Sequence, residues 1–153
     1  MKNWKRTLIC VGIPLGVGGL SALISGGMES YSGMRQPPLS PPGWVFPVVW
    51  TVLYVLMGLA SCRVYEKGEG ARRRRALTAY GVQLALNFLW SPVFFRGQLY
   101  LTAFLILVVL WVAILITIRR FSRVEERAGD LLLPYLLWVS FAGYLNLGVF
   151  LLN

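Results

Sequence analysis

Aromatic and amide side chains recur in this chain at helical spacings. Trp50 and Tyr54 lie four apart, and Gln83, Asn87, Trp90 and Phe94 follow at steps of four, three and four. Residues so spaced share one side of a helix. Tyr135, Trp138, Ala142, Leu145 and Asn146 form a third stripe that again combines rings with an amide. Such faces suit a cavity or a neighbouring helix, and ligand pockets are usually apolar with a few placed polar groups. For Trp50, Trp90 and Trp138 a belt at the membrane interface fits position alone equally well. The convergence of three stripes favours a pocket, whereas Trp4 and Trp44 suit the belt.

What is absent narrows the chemistry further. The chain has no histidine, which excludes histidine acid/base catalysis and histidine haem ligation. The acidic residues, Glu29, Glu66, Glu69, Glu125, Glu126 and Asp130, fall in loops or at span ends. None is expected mid-membrane, where it could relay protons or bind a coupling ion. Cys10 and Cys62 lack metal-site spacing and are expected to pack as small apolar side chains. No metal site and no required cofactor are expected.

The elements that must position these residues are membrane helices. Apolar residues make up 57% of the 153 residues, and the mean hydropathy is +0.65, more than a soluble domain of this size could bury. A spanning helix needs about 20 mostly apolar residues. Five segments qualify, at approximately 6–27, 44–64, 76–95, 99–118 and 131–152, so the expected fold is a single all-α integral membrane domain, a five-transmembrane-helix bundle over 1–153. The apolar run from Thr7 to Gly27 is longer than a usual signal core and has no small-x-small cleavage site, so a retained helix is expected. Its Gly12, Gly16, Gly18, Gly19 and Ala22 include a GxxxG step suited to close helix contact.

Of the 15 lysines and arginines, 13 fall before the first span or in the loops around Arg63 to Arg75 and Arg119 to Arg127. Arg35 and Arg96 alone fall on the other side. The positive-inside rule then puts the amino terminus in the cytoplasm and the carboxyl terminus outside. The run Arg72 to Arg75 suits a topology signal at the lipid head groups better than nucleic-acid binding. Pro37, Pro38, Pro41 and Pro42 make the first loop, 28–43, a stiff outward lid. Pro14, Pro47, Pro92 and Pro134 are expected to bend or shorten the spans. The fourth span, almost wholly aliphatic, is expected to face lipid.

Three blocks carry a resemblance to a known family: PPGWVFPVVWTVLYVLMG after Pro37, QLALNFLWSPVFF at 83–95 and PYLLWVSFAGYLN at 134–146. Together they resemble the translocator protein family, also called the tryptophan-rich sensory proteins or peripheral benzodiazepine receptors, over essentially the whole chain. The resemblance implies a five-helix bundle, commonly dimeric, that binds porphyrins and isoquinoline or benzodiazepine-type ligands in a pocket closed by the first loop. It implies pocket-lining roles for Pro42, Asn87, Trp90, Ala142 and Leu145, and for Tyr54 and Phe95, beside Asn146 of the third stripe. Trp50 and Trp138 match two tryptophans implicated in light-dependent oxidative breakdown of protoporphyrin, and would be catalytic only if this chain is an enzyme. Gly81 and Ala85 resemble a small-xxx-small dimer contact, a geometry that permits close backbone approach on its own account.

The chain departs from the family pattern at Ser30, Gln36 and Leu39, and LGVFLLN after Asn146 lacks the tyrosine and basic residue of a proposed cholesterol motif. Three functions remain open at this point. A tetrapyrrole receptor or sensor in a bacterial cell membrane leads, followed by a light- and oxygen-dependent porphyrin-degrading enzyme. The third is a porphyrin transporter, disfavoured by the lack of intramembrane charge and of inverted repeats. In each, porphyrin is ligand or substrate, the partners are the bilayer and a second copy, and nucleic acid is not a partner.

Overall fold

The computed structural model describes residues 4–26, 31 and 33–153. Lys2, Gly27, Glu29, Ser30 and Ser32, with the start of the lid loop, lie outside the described residues. Five long helices carry the fold: α1 (Trp4–Ser25), α2 (Val45–Lys67), α3 (Gly70–Ser91), α4 (Tyr100–Val124) and α5 (Leu133–Leu152). A π-helical turn, Pro92–Arg96, extends α3, and one short helical turn, Glu126–Asp130, precedes α5. Four of the helices, α1, α2, α4 and α5 with its preceding turn, are long and apolar enough to cross a membrane. These make the chain an integral membrane protein whose surroundings are the lipid bilayer. The remaining helix, α3, begins at Gly70, just ahead of the arginine run, so Arg72 to Arg75 occupy its first turns and its apolar part starts only at Ala76.

Backbones approach closely along α1 and α2, α3 and α4, and α4 and α5, while α1 also touches α3. Helix α5 meets α2 and α3 chiefly through long side chains. One seam shows why α1 and α2 fit. Pro14 has no N–H to offer the carbonyl of Cys10, and Gly58 of α2 packs there. A Cβ on Gly58 would stand 2.4 Å from Val11 Cα and 2.7 Å from the Cys10 oxygen.

The prolines act differently from the expectation. Pro47 falls in the first turn of α2 and Pro134 at the start of α5, where helix N–H groups have no intrahelical acceptor anyway, so both open helices without bending them. Pro92 does alter its helix. It marks the change from α to π, and Gly97 N bonds to Pro92 O at 2.9 Å.

The expected GxxxG step also turns out differently. A Cβ added to Gly12, Gly16 or Gly19 would meet nothing within 4 Å. The buried stripe of α1 is instead Pro14, Gly18, Ser21 and Ser25, at steps of four, three and four. On α4 one stripe, including Leu107, Leu110, Ile114 and Phe121, is buried, whereas Leu105, Val109 and Val112 point outward.

The described part of the lid is seated on α5. A Cβ on Gly148 would meet Pro37 at 2.4 Å, and the Tyr144 hydroxyl donates to the Pro38 carbonyl at 2.5 Å. The Asn153 amide donates to Arg35 O at 2.9 Å and accepts from Arg35 N at 3.3 Å. Inside the loop, Tyr31 donates to Pro41 O and the Gln36 amide to Tyr31 O, both at 2.7 Å. Leu39 turns the corner at φ +72°, a left-handed conformation that a leucine adopts at a cost.

Candidate functional site

Trp50 is the centre of the aromatic cluster. Its ring stacks on Tyr54 at 5.6 Å, tilts against Trp90 at 6.5 Å, and meets Tyr135 at 6.1 Å and Trp138 at 6.5 Å edge to face. These offset and T-shaped geometries are the ones that aromatic quadrupoles favour. Three helices contribute to that one hub, so the stripes on α2, α3 and α5 do converge.

The amides are committed to one another more than to open space. Tyr54 donates to Asn87 Oδ1 at 2.7 Å, Asn87 Nδ2 donates to the Tyr135 hydroxyl at 2.8 Å, and Tyr135 donates to Gln83 Oε1 at 2.7 Å. Gln83 then donates to the carbonyl of Tyr80 at 2.9 Å. This chain ties α2, α3 and α5 together across the bundle centre. Nearer the lid, Trp90 Nε1 donates to Asn146 Oδ1 at 2.9 Å, and Asn146 Nδ2 to Tyr100 O at 2.8 Å. Satisfied networks of this kind specify one packing, since an unpaired buried amide is costly.

Two spaces adjoin the cluster. The larger, about 360 Å³, lies between α1, α2 and α3. Trp50, Tyr54, Asn87, Trp90 and Phe95 line it, together with Phe46 and the α1 residues Gly18, Ser21, Ala22 and Ser25. Its rim residues Gly19, Ala22, Pro47 and Thr51 are exposed, so it opens between α1 and α2. The smaller lies beneath the lid, against Tyr31, Ser40, Ala142, Leu145 and Asn146, and holds only about 10 Å³, about one water at most. Phe46, Trp90 and Phe95 line both and form the partition. The pocket expected under the loop is therefore filled by side chains in this conformation. Tyr31 packs edge-on against Phe46 at 4.9 Å, and Phe94 against Phe95 at 4.8 Å. Burial raises the Tyr31 phenol above its ordinary pKa, so it remains the donor that closes the loop.

Pro42 and Trp138 line neither space. Pro42 is exposed, and its carbonyl accepts from Val45 N at the start of α2. Trp138 stands behind Trp50, against Phe46 at 5.8 Å and Phe141 at 5.5 Å. Its Nε1 is buried without a hydrogen-bond partner among the described residues. Gly81 and Ala85 are exposed on the outer face of α3, in a shallow apolar groove with Val17 and Phe88.

The α1 wall is the part of the site that the sequence reading missed. Its signal was the period of the small residues Gly18, Ser21 and Ser25, which places two hydroxyls and a gap on one face. Gly18 leaves room for the Tyr54 ring, because a Cβ there would stand 2.1 Å from Tyr54 Cε2. Ser21 donates to the Phe88 carbonyl at 2.8 Å, and the Ser25 and Ser91 hydroxyls are 2.8 Å apart.

Fold and site together define a helical membrane protein with an aromatic cavity between α1, α2 and α3. A family model, the TspO/MBR family, matches residues 10–152, and the chain belongs to that family. It is 38% identical over 150 residues to the tryptophan-rich protein TspO of Chlorobaculum tepidum, covering 95% of this chain and 94% of that one. It is 41% identical over 126 residues to the tryptophan-rich sensory protein of Cereibacter sphaeroides, covering 82% and 77%. The translocator protein of Homo sapiens is 35% identical over 122 residues, covering 78% and 72%.

Proposed function

We propose that this protein is a membrane receptor or sensor that binds flat aromatic ligands, porphyrins of the protoporphyrin type and isoquinoline or benzodiazepine-type molecules, in the cavity beside Trp50. The observation that carries this reading is the cavity itself: Phe46, Trp50, Tyr54, Trp90 and Phe95 offer ring faces or edges to one apolar space, with hydroxyls at its wall. Its 360 Å³ falls within the range of about 300–1,000 Å³ usual for ligand sites. A bicyclic ligand fits that space directly. A tetrapyrrole also needs the volume beneath the lid, reached by turning Phe46 and Phe95 away from the partition.

Helix α3 is read as the fifth span, its apolar part prolonged by the turn through Phe95. The basic ends of the helices are read as cytoplasmic and the lid as outward, in a bacterial cell membrane. The exposed Gly81 and Ala85 are read as the contact of a homodimer, where small residues let backbones approach. No cofactor is required on this reading.

The contact between Trp50 and Trp138 favours a second reading, in which bound porphyrin, light and oxygen supply an oxidation and the two indoles hold or quench the radical. Titration of protein fluorescence with protoporphyrin, followed by illumination, tests both. Trp50→Phe and Trp138→Phe are expected to keep affinity within about tenfold, since one aromatic pair is worth about 0.5–1.5 kcal/mol. Loss of photoproduct with binding intact supports the enzyme, unchanged behaviour of both variants removes the two indoles from the site, and absence of saturable binding in the parent protein overturns the receptor.

A further inference from the structure

We infer that the cytoplasm-facing ends of α3 and α4 form a binding site for an anionic phospholipid whose head group carries two phosphates. The site is built from two rungs of like charge. Arg72 faces Arg123 across the helix pair, its Nη1 donating to the Arg123 carbonyl at 3.4 Å. One turn nearer the bilayer, Arg120 faces Arg75 and donates to the Arg75 carbonyl at 3.2 Å. These crossings bring four guanidinium-bearing residues together on one face of the two helices. Each crossing uses one donor of its guanidinium, which leaves the other donors for an outside acceptor.

None of the four forms an ion pair with a carboxylate among the described residues. Among the described residues the ion pairs are Arg6 with Glu66 and Arg63 with Glu125, both elsewhere on this surface. The Arg72 and Arg120 guanidiniums each reach across to the backbone of a further arginine, so like charges gather on this face, and an anion between the rungs removes the cost of their repulsion. The rungs are three residues apart on each helix, about 4.5 Å along the axis, so one phosphate can sit at each.

The apolar residues beyond the arginines identify the occupant as a lipid and not a soluble phosphate. Val82 lies seven residues from Arg75, and Ile116 and Val112 lie seven and eleven residues from Arg123. These spacings return to the arginine face. All three are exposed, at 53%, 42% and 46%, and form an apolar strip that descends from the guanidiniums into the membrane. A head group on the rungs would lay its acyl chains along that strip.

The probes are diphosphatidylglycerol, phosphatidylcholine and glycerophosphate, added to the full-length protein in neutral detergent, with retained lipid read by native mass spectrometry and thermal stability read in parallel. Diphosphatidylglycerol is expected to be retained and to raise the melting temperature, phosphatidylcholine to do neither, and glycerophosphate not to compete. Arg72→Gln, Arg75→Gln, Arg120→Gln and Arg123→Gln together are expected to lower retention at least about tenfold. The same charge change made at Lys5, Lys67, Arg74 and Arg127 is expected to spare it. Should the fourfold variant fail to fold, Arg72→Gln with Arg123→Gln removes one rung and is expected to lower retention while circular dichroism stays unchanged. Equal loss in the two fourfold variants, undiminished retention without the rungs, or full competition by glycerophosphate would each overturn the site. Its requirement that α3 leave the hydrocarbon at Arg75 is checked separately, by thiol labelling of Arg74→Cys.

Discussion

The hydroxyl of Ser21 on α1 donates to the carbonyl of Phe88 on α3 at 2.8 Å, and that carbonyl is the one Pro92 cannot serve. Four residues on, a helix would normally supply an N–H, which proline lacks. A backbone acceptor freed by one residue is thus satisfied by a side chain from another helix, as the interior of a membrane protein requires.

Removing the donor should therefore cost more stability while Pro92 is present than without it. Ser21→Ala is expected to destabilise the protein by about 1 kcal/mol. In a Pro92→Ala background, where the helix supplies its own N–H, the same change should cost markedly less. Thermal melts of the four proteins in one detergent give the coupling, and equal costs in both backgrounds would mean that the bond contributes nothing specific.

Gly18 sets the width of the cavity at the Tyr54 ring. Gly18→Ala places a methyl where the ring now lies, so Tyr54 must turn and its bond to Asn87 must break. Expected results are an affinity for protoporphyrin lower by about tenfold or more, a change of about 1.4 kcal/mol, and a lower melting temperature. Fluorescence titration checks the first. An unaltered affinity would show that ligand does not enter on the α1 side of Trp50.

The lid is held to α5 by Tyr144 and Asn153. Tyr144→Phe with Asn153→Ala should leave the lid open more often, by roughly fivefold for each bond of about 1 kcal/mol lost. Stopped-flow measurement should then show association and dissociation both accelerated with a nearly constant ratio. A change in affinity without a change in rates would instead make these residues ligand contacts.

Orientation and assembly are open to two simple measurements. With Cys10 and Cys62 replaced by alanine, an impermeant thiol reagent on intact cells should label Leu39→Cys, at the exposed tip of the lid, and not Arg74→Cys. The reverse pattern inverts the topology. If the proposed homodimer forms through this face, Gly81→Leu with Ala85→Leu should weaken it in light scattering, because bulk there keeps backbones apart, and an unchanged oligomer would move the contact elsewhere.

Composition alone decided the solvent: a chain this apolar, with its cations grouped at helix ends, has to sit in a bilayer. Helix periodicity decided which side chains share a face, and so the stripes of Trp50 and Tyr54, of Asn87 and Trp90, and of Tyr135 and Asn146 were legible in the order of residues. Their meeting at Trp50 followed, because each stripe carries polar atoms that hydrocarbon cannot satisfy. What one helix's period cannot encode is its partner. The amides proved to bond chiefly to tyrosines, to another indole and to backbone, because α5 stands away from α2 and α3 by the thickness of those side chains. Equally hidden was the cavity's position on the α1 side of Phe46 and Phe95. It depends on Gly18 admitting Tyr54 and on rings from α2, from α3 with its π-helical turn and from the lid itself closing the space beneath the lid, and packing between segments distant in sequence is settled only when all of them are assembled.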